Sequence, residues 1–478
     1  MIPKRAFQAL GAQCSGERCP YACWVLGALA VLVSVIGCGK PEAPPPPSRK
    51  PLAVTRPSTL PAKPTPPVDI RVQNPPVIRE VPLAGNSATA ETRVVSPAAA
   101  EQRPEDSKLP FYELRMDAKE IMALERSAFT DQMHPATFIA DGEVYENVKV
   151  RYRGAFARNW PKKPLKIFFN DKKLFHGQSH LNLNSGWRDP AFIRETLAYM
   201  VYAMCGAPAS KSRMIRLHLN GQFRGLYVEL EQPDKAFANR LKLKGVSIYK
   251  ASSRSNIADE RDLRTEQMFR AHYEKETQKD EGYADLQKFC QDLAGAPNTL
   301  EFFTQRVDLD KYINYLVATT LTQNWDGYNK NHFIVCDGHH SKKWFLVPWD
   351  LDRTFGDYWD WSFDKADLPI LLGTHQMPGI TGWNRIQDRF FSDPVLRARF
   401  QKRLGEVLEK EFTTDKLLPL IDHLESEIAP EAALDRRRWP SRTSDLHSGI
   451  AQLKNFVQER RAYLLRELAS SRWSAASR

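Results

Sequence analysis

Four polar side chains in one short stretch of the chain have the types and spacing of a metal-assisted phosphoryl-transfer site. Asp326 lies five residues before Asn331, the interval that separates the aspartate and the asparagine in the catalytic loop of protein kinases. Asp350 and Asp352 follow an apolar run and supply two further carboxylates. Magnesium prefers hard oxygen ligands and keeps much of its water, so a few carboxylates together with nucleotide phosphates suffice to bind it. The spacing therefore favours magnesium-dependent phosphoryl transfer that uses a nucleotide.

Spacing alone leaves other interpretations open. Asp and Asn are common in turns because their side chains bond nearby backbone groups, so residues 324–331 could be no more than a tight connection. The triplet Asp350–Leu351–Asp352 is also the pattern with which many glycosyltransferases hold manganese and a sugar nucleotide. A third alternative, from a different class, is a catalytically silent surface protein used for adhesion or envelope structure.

The periodicity of apolar side chains predicts the elements that position these residues. Residues 309–321 have helical spacing and lead into the Asp326 loop. Two short apolar runs on either side of Asp337–Gly338 predict a hairpin whose downstream end delivers Asp350. Upstream, alternation over residues 143–153 and 165–169 predicts two strands joined by a basic turn.

Further elements complete a two-part pattern. Asp189–Pro190 predicts the start of a helix that ends at Gly206, and Asn220–Gly221 predicts a tight hairpin turn. Helical spacing recurs at 235–243, 283–293, 300–306 and 450–468. The sequence thus predicts an α+β protein with a strand-rich N-lobe followed by a helical C-lobe, which is the lobe order of a bilobal protein kinase.

The N-terminal residues predict export and a lipid anchor. Residues 24–36 form an apolar run of thirteen after a basic segment, too short to span a bilayer comfortably but typical of a signal peptide. The run ends in Val35–Ile36–Gly37–Cys38, which resembles a bacterial lipobox. We therefore expect residues 1–37 to be a lipoprotein signal peptide and Cys38 to be lipidated. Its acyl chains would hold the protein at the membrane, and Gly39 favours the outer membrane or cell surface.

Composition separates a tether from a globular part. Fourteen of the 33 prolines lie between Pro41 and Pro82, so residues 38–108 are predicted to be a disordered spacer. The remainder is rich enough in apolar residues to fold, because hydrophobic residues make up 42% of the chain and aromatic residues 10%.

A net charge of +11 suits polyanions such as nucleotides or anionic lipids, but no nucleic-acid-binding module is recognisable and no nucleic-acid partner is expected. Cys205, Cys290 and Cys336 are widely spaced and predict neither a disulfide framework nor a zinc site.

Five motifs in fixed order resemble the CotH (spore coat protein H) kinase family over roughly residues 109–412. They read VKVRYRGAFARNWPKKPLKIFF, LNLNSGWRDPAFIRETLAYMVYAMCGAPA, LHLNGQFRGLYVELEQPDKAF, NWDGYNKNHFIV and VPWDLDRTFG. The resemblance implies an atypical, secretory-type kinase that transfers the γ-phosphoryl group of ATP to protein side chains, here Ser or Thr of envelope or surface proteins. Residues 413–478 would then be a C-terminal helical extension.

The resemblance also implies roles for individual residues. Asp326 would be the catalytic aspartate and Asn331 a metal ligand beside it, with the second metal ligand either Asp350 or Asp352. Lys166 would contact the phosphates and Glu195 would pair with it, although each could also be an ordinary surface residue of a strand or helix. The nearby basic side chains would help to neutralise phosphate: Arg153, Arg158, Lys162 and Lys163. One departure from the family is that Gly154 is followed by Ala–Phe–Ala, where hydroxyl-bearing residues are usual.

Overall fold

The computed structural model describes residues 107–358, 362–375, 382–441 and 445–470. Within these ranges the strands are β1 (Phe111–Arg115), β2 (His134–Ala140), β3 (Glu143–Tyr152), β4 (Leu165–Phe168), β5 (His180–Asn184), β6 (Ser212–Leu219), β7 (Gln222–Leu230), β8 (Ser247–Ala251), β9 (Tyr273–Lys275), β10 (His332–Cys336) and β11 (Trp344–Pro348). The helices in the same ranges are α1 (Ala118–Arg126), α2 (Arg194–Met204), α3 (Lys235–Arg240), α4 (Glu266–His272), α5 (Ala284–Gly295), α6 (Thr299–Arg306), α7 (Leu309–Thr322), α8 (Arg385–Ser392), α9 (Pro394–Lys410), α10 (Thr414–Arg438) and α11 (Leu446–Ala469). The predicted signal peptide, Cys38 and nearly all of the predicted spacer lie outside the described residues.

The first seven strands close into a barrel in the order β1-β2-β3-β4-β5-β7-β6. Neighbouring strands are antiparallel except where β1 closes the barrel against β6, with which it is parallel. Aromatic and branched side chains fill the interior, where Tyr112, Phe138 and Phe175 pack edge to face with ring centroids 5.2–5.7 Å apart. This apolar filling makes the barrel a rigid support for the residues at its ends.

A second, four-stranded sheet carries the loop of interest. Its order is β11-β10-β8-β9, and β10 pairs with β11 in antiparallel register from His332 opposite Pro348 to Cys336 opposite Trp344. The helices from α2 onward pack around this sheet in one continuous hydrophobic core that excludes the barrel interior. The predicted hairpin around Asp337–Gly338 is therefore confirmed.

The mixed α+β class, with a strand-rich part followed by a mainly helical part, is confirmed by the observed order of elements. Strands β3, β4, β6 and β7 and helices α5, α6, α7 and α11 lie where periodicity predicted them. Helix α2 begins later than predicted, because the Asp189 carboxylate accepts hydrogen bonds from the backbone N–H groups of Ala191 and Arg194 and holds residues 189–193 in a turn.

The C-terminal helices share the main core. Leu417, Ile421 and Leu453 are fully buried in the cluster that also contains residues of α2 and β11, and α10 packs directly on β7. The domain boundary at residue 412 stays a prediction, but α10 and α11 contribute fully buried side chains to the same core as the elements before it. No helix in the described part of the chain is both long and apolar enough to cross a membrane.

Candidate active site

The loop between α7 and β10 brings together the aspartate and asparagine that the spacing singled out. Helix α7 ends at Thr322, and the left-handed conformation of the next residue, Gln323 (φ 54°), turns the chain out of the helix. The Asn331 side chain then donates a hydrogen bond from Nδ2 to Asp326 Oδ2 at 3.0 Å. Lys330 places its ammonium 3.2 Å from the other oxygen, Asp326 Oδ1. Both oxygens of Asp326 are thus oriented from within the loop.

The β10–β11 hairpin places Asp350 next to this loop. The Trp349 backbone N–H donates to the Asn331 carbonyl at 3.1 Å, one residue beyond the last ladder pair. Asn331 and Asp350 both have left-handed backbones, with φ of 56° and 57°. Asn and Asp tolerate this conformation better than other non-glycine residues, because their short side chains bond locally. Residues in this conformation cluster at functional sites.

Several carboxylates at this place carry more negative charge than their surroundings offset. Burial, followed by the charges of Asp350 and Glu195, raises the pKa of Asp352 well above its ordinary value. Burial also raises the pKa of Asp326; the charge of Lys330 opposes this shift, and the charge of Asp350 adds to it. Burial and the charge of Asp350 raise the pKa of Glu195 to about 7. Asp350 acts on all three, so it lies at the electrostatic centre of the group.

This excess negative charge fits a divalent cation. In the ranges that the structure describes, no three His, Cys, Asp or Glu side chains are close enough to form a complete metal cage by themselves. Magnesium does not need one, since phosphates and water complete its coordination. Asp350, Asp352 and Asn331 are the residues that would hold it. When bound, the ion would offset the negative charge of the nucleotide phosphates.

Arg153 is the cation that faces these acids. It follows β3, and its charge acts on Asp350, Glu195 and Asp352, while its guanidinium lies 5.5 Å from the centre of the Trp349 ring. Glu195, in the first turn of α2, accepts hydrogen bonds from Asn184 Nδ2 on both oxygens at 2.8 and 2.9 Å. The end of β3 and the first turn of α2 therefore place Arg153 and Glu195 beside Asp350 and Asp352.

The expected ion pair between Lys166 and Glu195 is not formed. No nitrogen–oxygen distance of 4.0 Å or less joins these two described side chains. Lys166 on β4 lies opposite Arg151 on β3 and Asn182 on β5. The acid whose charge acts most strongly on Lys166 is Glu276. Glu195 instead interacts with Arg153 and Asn184. Burial and neighbouring cations lower the pKa of Lys166 to about 7. Lys166 still lies near Arg153, but it is not the partner of Glu195.

Most of the basic turn between β3 and β4 is occupied by structural contacts. Lys162 is fully buried and its ammonium lies 2.5 Å from Asp435 Oδ2 of α10. Arg158 bonds Asp131 at 2.6 Å, and Lys163 donates to the carbonyl of Trp160 at 3.1 Å. The expectation that these side chains neutralise phosphate is wrong for Lys162, because an interior salt bridge already uses its charge. Arg153 is the member of this turn that faces the carboxylates.

Sequence reasoning missed two residues of the site. Asn184 ends β5 and holds Glu195; the Leu–Asn–Leu–Asn alternation predicts a strand but not a partner eleven residues away. Tyr199 lies one helical turn after Glu195, and burial and the charges of Glu195 and Asp350 raise its pKa well above the ordinary value. The i, i+4 spacing of Glu195 and Tyr199 is the signal that could have found it.

These contacts define a class: an α+β protein in which a paired aspartate and asparagine meet further carboxylates at the end of a hairpin, as in metal-dependent phosphoryl-transfer proteins. The sequence profile of the family described as CotH kinase protein matches residues 150–464. The chain therefore belongs to the CotH kinase family, as the ordered motifs predicted. This membership supports the assignment of an atypical kinase.

Curated relatives come from bacteria and fungi. The inner spore coat protein H of Bacillus subtilis (strain 168) is 26% identical over 335 residues, which are 69% of this chain and 89% of the relative. The invasin CotH2 of Rhizopus delemar is 22% identical over 351 residues, covering 70% of this chain but only 58% of the invasin. Among solved structures, the Helicobacter pylori proinflammatory kinase CtkA is a distant likeness, with a TM-score of 0.31, 10% identity and coverage of 73% of this chain and 94% of CtkA.

Proposed function

We propose that this protein is an extracytoplasmic kinase that transfers the γ-phosphoryl group of ATP to Ser or Thr of envelope or surface proteins. The observation that carries the proposal is the contact between Asp326 and Asn331 next to the Asp350–Asp352 pair. Positioning an acceptor hydroxyl requires a carboxylate held in one orientation, here by an amide. Positioning a metal–nucleotide complex requires neighbouring carboxylates whose negative charge is not balanced.

In the proposed reaction the chain's own residues mainly orient and neutralise. Asp326 accepts the hydrogen bond of the acceptor hydroxyl, and its raised pKa suits it to take the proton as the new oxygen–phosphorus bond forms. The bond from the γ-phosphorus to the bridging oxygen breaks, and ADP leaves with that electron pair. Arg153 faces the same carboxylates and supplies positive charge where the phosphates would lie. Lys330 and Asn331 keep Asp326 in place throughout.

The direct test is incorporation of labelled phosphate from ATP into an envelope fraction, followed by mapping of the modified residues. Asp326→Ala should abolish transfer but keep the fold and nucleotide binding, since Asp326 faces the acceptor. Asp352→Ala should weaken nucleotide binding that depends on Mg²⁺. Asp364→Ala, an exposed acid outside the site, serves as the control. Full incorporation by the Asp326 variant would overturn the assignment.

A silent surface protein is the second candidate, and the turn after β3 favours it. Gly154 has a left-handed backbone (φ 81°), as a phosphate-cradling turn needs, but it is followed by Ala155 and Phe156, which offer no hydroxyl. Phe156 is 62% exposed, a large apolar side chain at the surface. A thermal-shift series with ATP, sugar nucleotides, Mg²⁺ and Mn²⁺ separates the candidates. Stabilisation by ATP with metal supports the kinase, stabilisation by a sugar nucleotide with Mn²⁺ supports a glycosyltransferase, and no shift supports the silent protein.

The location of the protein is part of the same proposal. The lipobox-like sequence before Cys38 and the proline-rich segment after it suit a globular part held away from a membrane by a spacer. Metabolic labelling with a fatty acid tests this, because Cys38→Ser should abolish label incorporation and release the protein from the membrane fraction. Label that persists in the Cys38→Ser variant would contradict lipidation at this residue.

A further inference from the structure

We propose that a buried ion pair between His332 and Glu260 positions the loop that carries Asp326 and Asn331. His332 is the first residue of β10, and Glu260 comes from the segment between β8 and α4. Both side chains are completely buried, and His332 Nε2 lies 2.8 Å from Glu260 Oε1. The effect on phosphoryl transfer rests on the proposed function, whereas the effect on the loop does not.

The other ring nitrogen of His332 reaches the loop itself. Nδ1 lies 3.0 Å from the carbonyl of Gly327 and 3.0 Å from the carbonyl of Lys330. Carbonyl and carboxylate oxygens accept hydrogen bonds, so both ring nitrogens carry hydrogen and the ring is an imidazolium. A single side chain thus joins the two ends of the loop, one residue after Asp326 and one residue before Asn331, and ties them to Glu260.

Glu260 is fixed by further side chains that also reach the loop. The Tyr273 hydroxyl on β9 donates to Glu260 Oε1 at 3.2 Å and accepts from the Glu260 backbone N–H at 3.0 Å. Asn384, at the start of α8, bonds Glu260 Oε2 and donates to the carbonyl of Tyr328 at 3.0 Å. Three carbonyls of the loop backbone, those of residues 327, 328 and 330, are therefore held by His332 and Asn384.

These contacts explain how a short polar loop keeps one geometry. The loop has no regular backbone ladder until Asn331, whose N–H donates to the Ala251 carbonyl at 3.2 Å. The charged hydrogen bonds of His332 are stronger than neutral ones and lie where water is excluded. Removing one partner leaves the other as an uncompensated buried charge. We assign His332 and Glu260 as positioning residues, because neither faces the carboxylate cluster directly.

The experiment compares three variants of the full chain with a matched control. His332→Gln and Glu260→Gln each remove one charge. The double variant removes both charges and places a polar amide at each position. A glutamine at 332 cannot reach Glu260 and the loop carbonyls at once, because its one amide replaces a ring with donors on opposite sides. His134→Gln is the control, since His134 is also buried and pairs with Glu120 at 3.3 Å, but on α1 and β2 away from the loop.

Hydrogen exchange of peptides that span residues 326–331 is the first measurement, and it does not require activity. Its readout is the Asn331 amide, because this N–H donates to the Ala251 carbonyl and keeps that bond only while the loop holds its geometry. We expect exchange there to become at least tenfold faster in all three variants and to stay unchanged in His134→Gln. Steady-state transfer kinetics are the second measurement. We expect kcat to fall by about 10- to 100-fold while KM for ATP changes less than threefold, because Asp326 in the loop orients the acceptor, whereas Asp350, Asp352 and Arg153 lie outside the loop and would still hold the metal and the phosphates.

The double variant separates positioning from stability. Removing both charges should restore most of the thermal stability lost in the single variants, but not the loop protection and not kcat. A double variant with wild-type exchange at 326–331, or with wild-type kcat, would overturn the proposal even if the single variants fail to fold. Absence of transfer in the wild-type protein would instead count against the proposed function, while the exchange measurement would still decide whether His332 and Glu260 hold the loop.

Discussion

Lys166 should link nucleotide binding to proton uptake. In the free protein burial is the main reason that the pKa of Lys166 falls to about 7; Glu276 opposes this shift, and the nearby charges of Arg153, Lys250 and Arg151 add to it. Phosphate brought close to the ammonium would favour the charged form and raise the pKa again. A base whose pKa rises on binding takes up a proton, so the affinity for ATP should fall as pH rises above about 7.

The size of the effect follows from the pKa. At pH 8 only about one tenth of Lys166 is protonated in the free protein, so binding should take up about 0.9 proton. Between pH 7.5 and 8.5 the protonated fraction of Lys166 in the free protein falls about eightfold. The affinity for ATP should fall by the same factor, or about 1.2 kcal/mol. This range also lies above the titration of the nucleotide phosphates, whose second pKa is near 6, so the change reports on the protein.

Isothermal titration calorimetry with ATP and Mg²⁺ measures both quantities, with proton uptake obtained from buffers that differ in ionisation enthalpy. Lys166→Arg is the matched variant, because a guanidinium stays charged at these pH values. It should bind ATP at pH 8.5 at least as tightly as the wild-type protein and should show no proton uptake from this position. Affinity of the wild-type protein that does not change with pH, or an equal pH dependence in Lys166→Arg, would refute the reasoning.

Three further predictions concern stability and are measured by urea denaturation. Gly225→Ala should lower the free energy of unfolding by at least about 1–3 kcal/mol, because Gly225 has φ 145° and an added Cβ would lie 2.5 Å from Asp435 Oδ2; an unchanged midpoint would contradict this. Lys162→Met should cost about 3–5 kcal/mol by leaving Asp435 uncompensated, and the pair Lys162→Met with Asp435→Leu should recover part of the loss. Phe456→Ala on α11 should cost about 3–5 kcal/mol, since this ring is buried against Phe355 with centroids 5.5 Å apart, and a loss below about 1 kcal/mol would show that α11 is not part of the core.

Local patterns predicted the parts of the fold that depend on neighbours in sequence. The Asn220–Gly221 turn joins β6 and β7 as expected, and the apolar runs around Asp337 form the β10–β11 hairpin. Periodicity and turn chemistry act over a few residues, so these elements are readable in one chain. The closure of the barrel by parallel pairing of β1 with β6 was not predicted. The two strands are about a hundred residues apart, and alternation within a strand does not indicate which distant strand it pairs with.

The same distinction applies to the site. Asp326 and Asn331 were predicted together because they lie five positions apart in one loop, and that short loop places them in contact. The role of Lys162 was misjudged, because a lysine in a basic turn usually stays in water and its partner Asp435 is 273 residues away. Glu195 was expected beside Lys166, yet the charge that reaches it comes from Arg153 at the barrel end. The pairing of charges between elements depends on packing that spacing along the chain does not encode.

The position of β1 has a mechanical consequence. This strand is the first element of the described chain, and it is bonded along both edges, to β2 on one side and to β6 on the other. A pull transmitted from the N-terminal side would run along the strand, so the bonds on both edges would be sheared together and would share the load. A strand on an open edge would instead unzip one bond at a time. If residues before Leu109 tie the protein to a surface, the barrel meets drag or shear flow at a strand that is bonded along both edges.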